Sequence, residues 1–162
     1  MNIPESELLR LQFLVRVVQK EIQHLQITDK RLFAEPFTSK QAGSLGDEVE
    51  LAERVDAFVS RFGRLQDTVG DKMLPHYLTM LGESTGAAID NLNRAEKLGL
   101  IGSTDIWLAL RNLRNQMIHE YIEDSNKLAS ALNKGHEHVT TLTEDAKCIL
   151  ADIAARGWLE GL

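Results

Sequence analysis

WLALRNLRNQMIHEY, residues Trp107 to Tyr121, decides how the chain is read. At about 100° per residue, Ile106, Leu110, Leu113 and Met117 fall within a narrow arc of one helix. That arc is expected to face a core. The opposite arc is mixed. With Arg114 at zero, Tyr121 lies at about −20°, Trp107 at about 20° and Ile118 at about 40°. Asn115 follows at about 100° and His119 at about 140°. Arg114 and Tyr121 therefore stack two turns apart on one line, and Asn115 and His119 form a pair on the next. A fully solvated face has little reason to carry tryptophan and isoleucine beside arginine, asparagine and histidine. A partly buried interface around a polar cluster has one. Core packing is an equally good account of Trp107.

Outward from this helix the same periodicity continues. No run of alternating apolar and polar residues stands out, and no Asn-Gly or Asp-Gly hairpin signal occurs. Toward the amino terminus, Leu8, Leu11, Val15, Val18, Ile22 and Leu25 mark the inner stripe of a helix from Glu5 to about Phe33. Glu35-Pro36 ends it. Thr38 to Gly46 reads as a polar loop. A second helix is predicted from about Asp47 to Thr68, with Val49, Ala52, Val55, Phe58, Val59, Phe62 and Leu65 inward. Gly70-Asp71 reads as a break, and Pro75 suits the first turn of a short helix from Lys72 to Leu81. Ser84 or Thr85 would cap a further helix to Leu98, with Gly99 as its C-terminal cap. Gly102-Ser103-Thr104-Asp105 starts the central helix. A last segment restarts at Asp124-Ser125, is interrupted at Gly135 and ends near Arg156-Gly157. The expectation is an all-α chain, a single domain over residues 1–162, folded as an antiparallel bundle of four to six helices.

Composition narrows the function classes. The 162 residues suit one hydrophobic core, and the net charge is −6. An acidic balance argues against a protein that coats nucleic acid, but leaves room for a local basic site. No apolar run approaches the roughly 20 residues of a membrane-spanning helix, so no membrane contact is expected. The opening residues lack the basic-then-apolar pattern of a signal peptide, and the expected location is the cytoplasm. The one cysteine, Cys148, permits no internal disulfide, and its apolar context suggests a buried position. One cysteine and five histidines show no metal-ligand spacing, so no metal or other cofactor is expected. His24, His76, His136 and His138 read as surface or capping residues.

Arg-x4-His is common by chance, and a surface charge with a satisfied histidine is its ordinary meaning. Here Asn115 directly follows the arginine and Tyr121 stands two beyond the histidine. The segment Arg114-Asn115-Gln116-Met117-Ile118-His119-Glu120-Tyr121 resembles the Arg-x4-His-x-Tyr signature of HEPN toxins of the HepT group. Those toxins are paired with a minimal nucleotidyltransferase antitoxin. Arg61-Phe62-Gly63-Arg64-Leu65-Gln66-Asp67 looks like a second-helix segment of the same proteins. Leu98-Gly99-Leu100-Ile101 and Asp124 also fit, so the resemblance covers roughly residues 45 to 135.

The resemblance implies a helical bundle of HEPN type that dimerises about a two-fold axis. It implies a metal-independent ribonuclease with Arg114 and His119 as the catalytic pair, Asn115 supporting the cleft and RNA as substrate. It also implies a nucleotidyltransferase partner that transfers AMP to Tyr121. The chemistry is sound. Attack of a 2'-hydroxyl on the adjacent phosphorus needs a group near neutral pKa and a fixed cation. On one helix Arg114 and His119 point about 140° apart, so convergence on one phosphate calls for a second copy. Asp67 could orient the cation or form a structural salt bridge. The alternatives are a non-catalytic HEPN protein that binds a nucleotide or docks a nucleotidyltransferase, and an inert helical adaptor.

Overall fold

Residues 2–159 are described by a computed structural model, and among them every regular element is helical. The helices are α1 (Glu5–Leu32), α2 (Ser39–Gly43), α3 (Val49–Asp67), α4 (Leu74–Met80), α5 (Ala88–Lys97), α6 (Thr104–Glu123) and α7 (Ser125–Ala155). A π-helical turn, Thr68–Met73, joins α3 to α4 without a break.

Four long helices alternate in direction. On α1 and α3, Thr28 meets Arg61 and Glu21 meets Thr68, so residue numbers run oppositely along the seam. Asp67 meets Arg114 and Asp71 meets Arg111 between the α3 end and α6. Met117 packs at Gly135 and Trp107 bonds Asp145 between α6 and α7. Gln12 meets Trp158 and Asp29 meets His136 between α1 and the α7 end. The bundle is thus antiparallel at every seam. Its core draws Leu11, Val15, Val18 and Leu25 from α1, and Val55, Phe58, Phe62 and Leu65 from α3. Leu110 and Met117 from α6 and Leu132, Leu142, Ala146 and Ile149 from α7 complete it. Each large aliphatic or aromatic side chain buried this way contributes about 1.5–3 kcal/mol before chain entropy is set against it.

Several local expectations are corrected by packing. The Thr38–Gly46 stretch contains α2, because Thr38 and Gln41 form a reciprocal capping box. Gly70-Asp71 is not a break. The backbone widens there, and the Leu74 amide donates to the carbonyl of Val69. A wider turn leaves room for the Pro75 ring, which would crowd a regular α-helical carbonyl. The helix expected from Ser84 or Thr85 begins at Ala88. Its lead-in is held by Asn91, whose side chain bonds both the amide and the carbonyl of Gly86.

Gly135 does not interrupt α7, which runs on through it. A Cβ there would stand 2.2 Å from Met117 Cε and 3.2 Å from Phe58 Cε1. The glycine exists for space, not for a turn. Ile106 is 38% exposed and leaves the core stripe, as do Val49 and, in part, Ala52 and Val59. Cys148 is exposed. Trp107 is buried, so core packing is its role. Other expectations hold. Gly99 caps α5 at φ +74°, with the Leu100 amide returning to Ala95. Ser103 caps α6 and Asp124 caps α7. No helix among the described residues is long and apolar enough to cross a membrane.

Candidate functional site

α6 lies between α3 and α7, and its two sides are finished differently. On the α7 side Trp107 Nε1 donates to Asp145 Oδ2 at 2.8 Å, and Met117 fills the space left by Gly135. On the α3 side the helices part into a groove of about 480 Å³. Asp56, Val59, Gly63, Arg64 and Asp67 form its α3 wall. Arg114, Met117, Ile118, Tyr121 and Ile122 form its α6 wall.

Arg114 sits in this groove because α3 has no side chain beneath it. A Cβ on Gly63 would stand 2.7 Å from Arg114 Nε. The stem of the arginine therefore lies across bare backbone, and Arg114 Nη1 donates to Asp67 Oδ1 at 2.8 Å. One turn earlier on α6, Arg111 Nη2 donates to Asp71 Oδ1 at 2.9 Å. Both pairs are partly open to water, so each contributes about 0–1 kcal/mol to stability. Their larger effect is positional. The Asp67 bond and the Gly63 backbone limit where the Arg114 guanidinium can go, and its remaining donors stay available to an anion.

Tyr121 lines the same groove two turns along. Burial raises its phenol pKa, and the nearby Asp56 carboxylate adds to the rise. At neutral pH the phenol is therefore protonated. His119 lies outside the groove, its side chain 68% exposed, with Glu120 Oε1 at 3.8 Å from Nε2. Asn115 is exposed as well. Within one chain, then, Arg114 and Tyr121 come together, while His119 and Asn115 face away. Two apolar side chains flank this surface in the open. Ile118 is 52% exposed and Ile122 is 83% exposed.

Reasoning from sequence did not find Gly63 or Asp56 as parts of this site. Gly63 carried a signal, since a glycine inside a long helical pattern costs about 1 kcal/mol and calls for a packing reason. Asp56 carried none. Two of the other histidines have structural partners. His76 Nε2 pairs with the Glu7 carbonyl at 2.9 Å, and His136 stacks on Phe33 with Asp29 Oδ1 at 2.7 Å from Nδ1. No group of three or more histidine, cysteine and acidic side chains converges among the described residues. No protein-family model matches the chain, and no curated protein or solved structure matches it either.

Proposed function

We propose that the chain is a HEPN-type toxin of the HepT group: a homodimeric, metal-independent endoribonuclease of the cytoplasm, controlled by a minimal nucleotidyltransferase. The observation that carries this reading is the held arginine. Arg114 lies in an open groove, positioned by Asp67 across Gly63, with Tyr121 two turns along the same wall.

The residues suit the chemistry. A planar guanidinium already oriented by a carboxylate can accept charge growing on phosphoryl oxygens without reorganising. An exposed imidazole on the same helix can move protons near neutral pH. The 2'-hydroxyl loses its proton to an imidazole and attacks phosphorus. The leaving 5'-oxygen takes up a proton, and the strand ends in a 2',3'-cyclic phosphate. Because Arg114 and His119 face different ways, each active centre combines Arg114 of one subunit with His119 of the other. Exposed Ile118 and Ile122 supply apolar surface for that contact. Transfer of AMP from ATP to the Tyr121 oxygen by a nucleotidyltransferase, with loss of the phenol proton and release of pyrophosphate, would place a phosphate beside Arg114 and block the groove.

The test uses purified chain and a mixed-sequence RNA. Wild type should release fragments with cyclic phosphate ends, and Arg114→Ala and His119→Ala should each cut at least about 100-fold more slowly. Full activity in both variants refutes the mechanism. A dimer with Ile122→Asp in both subunits should fall to monomers in sedimentation and lose cutting with it. A second reading has its own support: a groove of about 480 Å³ is of small-ligand size, and it pairs an arginine with a tyrosine. AMP binding by calorimetry, lost in Arg114→Ala, without RNA cleavage by wild type, would favour a nucleotide-binding protein instead.

A further inference from the structure

Three depressions flank α3 and share side chains, one on its α6 side and two on its α1 side. The first is the Arg114 groove on the α6 side, which includes Arg64. The second is a small hollow lined by Glu21, His24, Arg61 and Arg64. The third, about 390 Å³, opens between α1 and α3 and includes Arg31, Arg54 and Arg61. Arg64 belongs to the first and second, and Arg61 to the second and third. Arginine side chains thus follow one another from Arg31 and Arg54, over the α3 ridge at Arg61 and Arg64, to Arg114. Arg54 and Arg64 stand about 15 Å apart along the helix axis.

The electrostatics of this line are unusual for a chain of net charge −6. Among the described residues no carboxylate lies within 4.0 Å of a guanidinium nitrogen of Arg31, Arg54, Arg61 or Arg64. Among the same residues Arg10 and Arg16 on α1 also lack such a partner, whereas Arg94, Arg111, Arg114 and Arg156 have one. Arg61 is nonetheless fixed, since it donates to the His24 carbonyl at 3.2 Å and to Thr28 Oγ1. Arg64 donates to Ser60 Oγ at 3.0 Å. Both are hydrogen-bonded to neutral acceptors rather than to a carboxylate, although the Arg64 charge reaches Glu21 across the hollow. The Glu21 carboxylate in the middle hollow is turned inward. Its Oε1 accepts from Thr68 at 2.9 Å and its Oε2 is buried without a partner. Glu50 and Glu53 stand toward the start of α3 and close the far end.

We propose that Arg31, Arg54, Arg61 and Arg64 form a phosphate track that leads single-stranded RNA across α3 into the Arg114 groove. The proposal rests on the ribonuclease reading for its direction, and it adds a substrate-binding surface remote from the reacting phosphate. Planar guanidinium forks suit successive phosphodiesters, and narrow depressions crossing one helix suit a flexible single strand better than a stiff duplex. The track holds substrate by charge, so its contribution is sequence-independent and salt-sensitive.

The test is binding of a fluorescein-labelled 2'-O-methyl oligouridine of twelve nucleotides, which cannot be cleaved. Arg31→Ala/Arg54→Ala should bind it roughly tenfold more weakly, and the slope of log K against log salt should flatten by about 1.4. Arg31→Lys/Arg54→Lys should keep the wild-type slope, which separates lost charge from lost folding. Unchanged affinity and slope in the double alanine variant overturn the track. So does displacement of the oligomer by an equal charge of polyglutamate, which would identify an acidic-peptide surface. Cleavage of a UpA dinucleotide by wild type reads the catalytic proposal separately, because a dinucleotide is too short to reach Arg54. Weakened oligomer binding with no dinucleotide cleavage leaves the track standing and removes the enzyme.

Discussion

The two seams of α6 use the same device for opposite ends. At Gly135 on α7 and at Gly63 on α3, a missing Cβ lets a side chain of α6 lie against the facing backbone. At Gly135 the side chain is Met117, and the result is a packed contact: Phe58 lies alongside, and Met117 is fully buried. At Gly63 it is Arg114, and the result is an opening with a cation in it. A glycine beneath an apolar side chain deepens a core. Beneath a charged one it builds a cradle. The residue that fills the gap, not the glycine, sets whether a close helix approach serves stability or binding.

Substituting alanine at each glycine should separate the two uses. Gly135→Ala should have the larger effect on the fold. Met117 and the Phe58 ring must both move, which costs about 1–3 kcal/mol against a helix-propensity gain of about 1. A lowered melting temperature checks this, and an unchanged or higher one would mean that the seam is loose. Gly63→Ala should leave the melting temperature within a few degrees of wild type or raise it, because only a flexible arginine stem has to give. On the proposed ribonuclease reading, RNA cleavage should nevertheless fall about tenfold as Arg114 is pushed from its place. Equal activity would show that the cradle has no part in the reaction. Trp107→Phe, on the closed seam, should cost about 1 kcal/mol through the lost bond to Asp145, without a separate effect on catalysis.

The smallest effect concerns charge beside the open seam. Burial, working against the Thr68 hydrogen bond and the charges of Arg64 and Lys72, raises the Glu21 pKa above its ordinary 4.5. The folded state therefore disfavours the ionised form. Stability falls as pH climbs from about 4.5 through the raised folded value, and the deficit remains at neutral pH. Relative to Glu21→Gln, which does not ionise, wild type should lose melting temperature between pH 4 and pH 7. A constant difference across that range would show that Glu21 meets water freely.

Much of the fold could be read from periodicity. The stripe of α1, the caps at Ser103 and Asp124 and the stop at Gly99 are local features, and local reasoning reaches them. It does not reach a glycine whose role is set by packing. Gly70 and Gly135 both lie within continuous helix, and what Gly135 accommodates, Met117, comes from another part of the chain. The Thr38-x-x-Gln41 box is legible in the sequence, but the turn residues around it give the stretch the look of a loop. For the site, spacing on α6 put Arg114 and Tyr121 on one line and His119 on another, and the groove divides them the same way. The Asp67 contact had only a family-like segment behind it. The arginines of α1 and α3 gave no sequence signal at all, because their common course depends on the register of two antiparallel helices.

The π turn acts as a phase shifter. One additional residue per turn advances every later position by about 100° relative to an unbroken α-helix. Because of that offset Tyr77 points inward, where its hydroxyl donates to Asp152 and accepts from Arg156. Deleting a single residue between Thr68 and Met73 would restore regular winding and swing the α4 surface away from the far end of the bundle. A small deletion in this one stretch would thus change which residues meet at α7, while a deletion of equal length in the Gly82–Gly86 connection would only shorten a link.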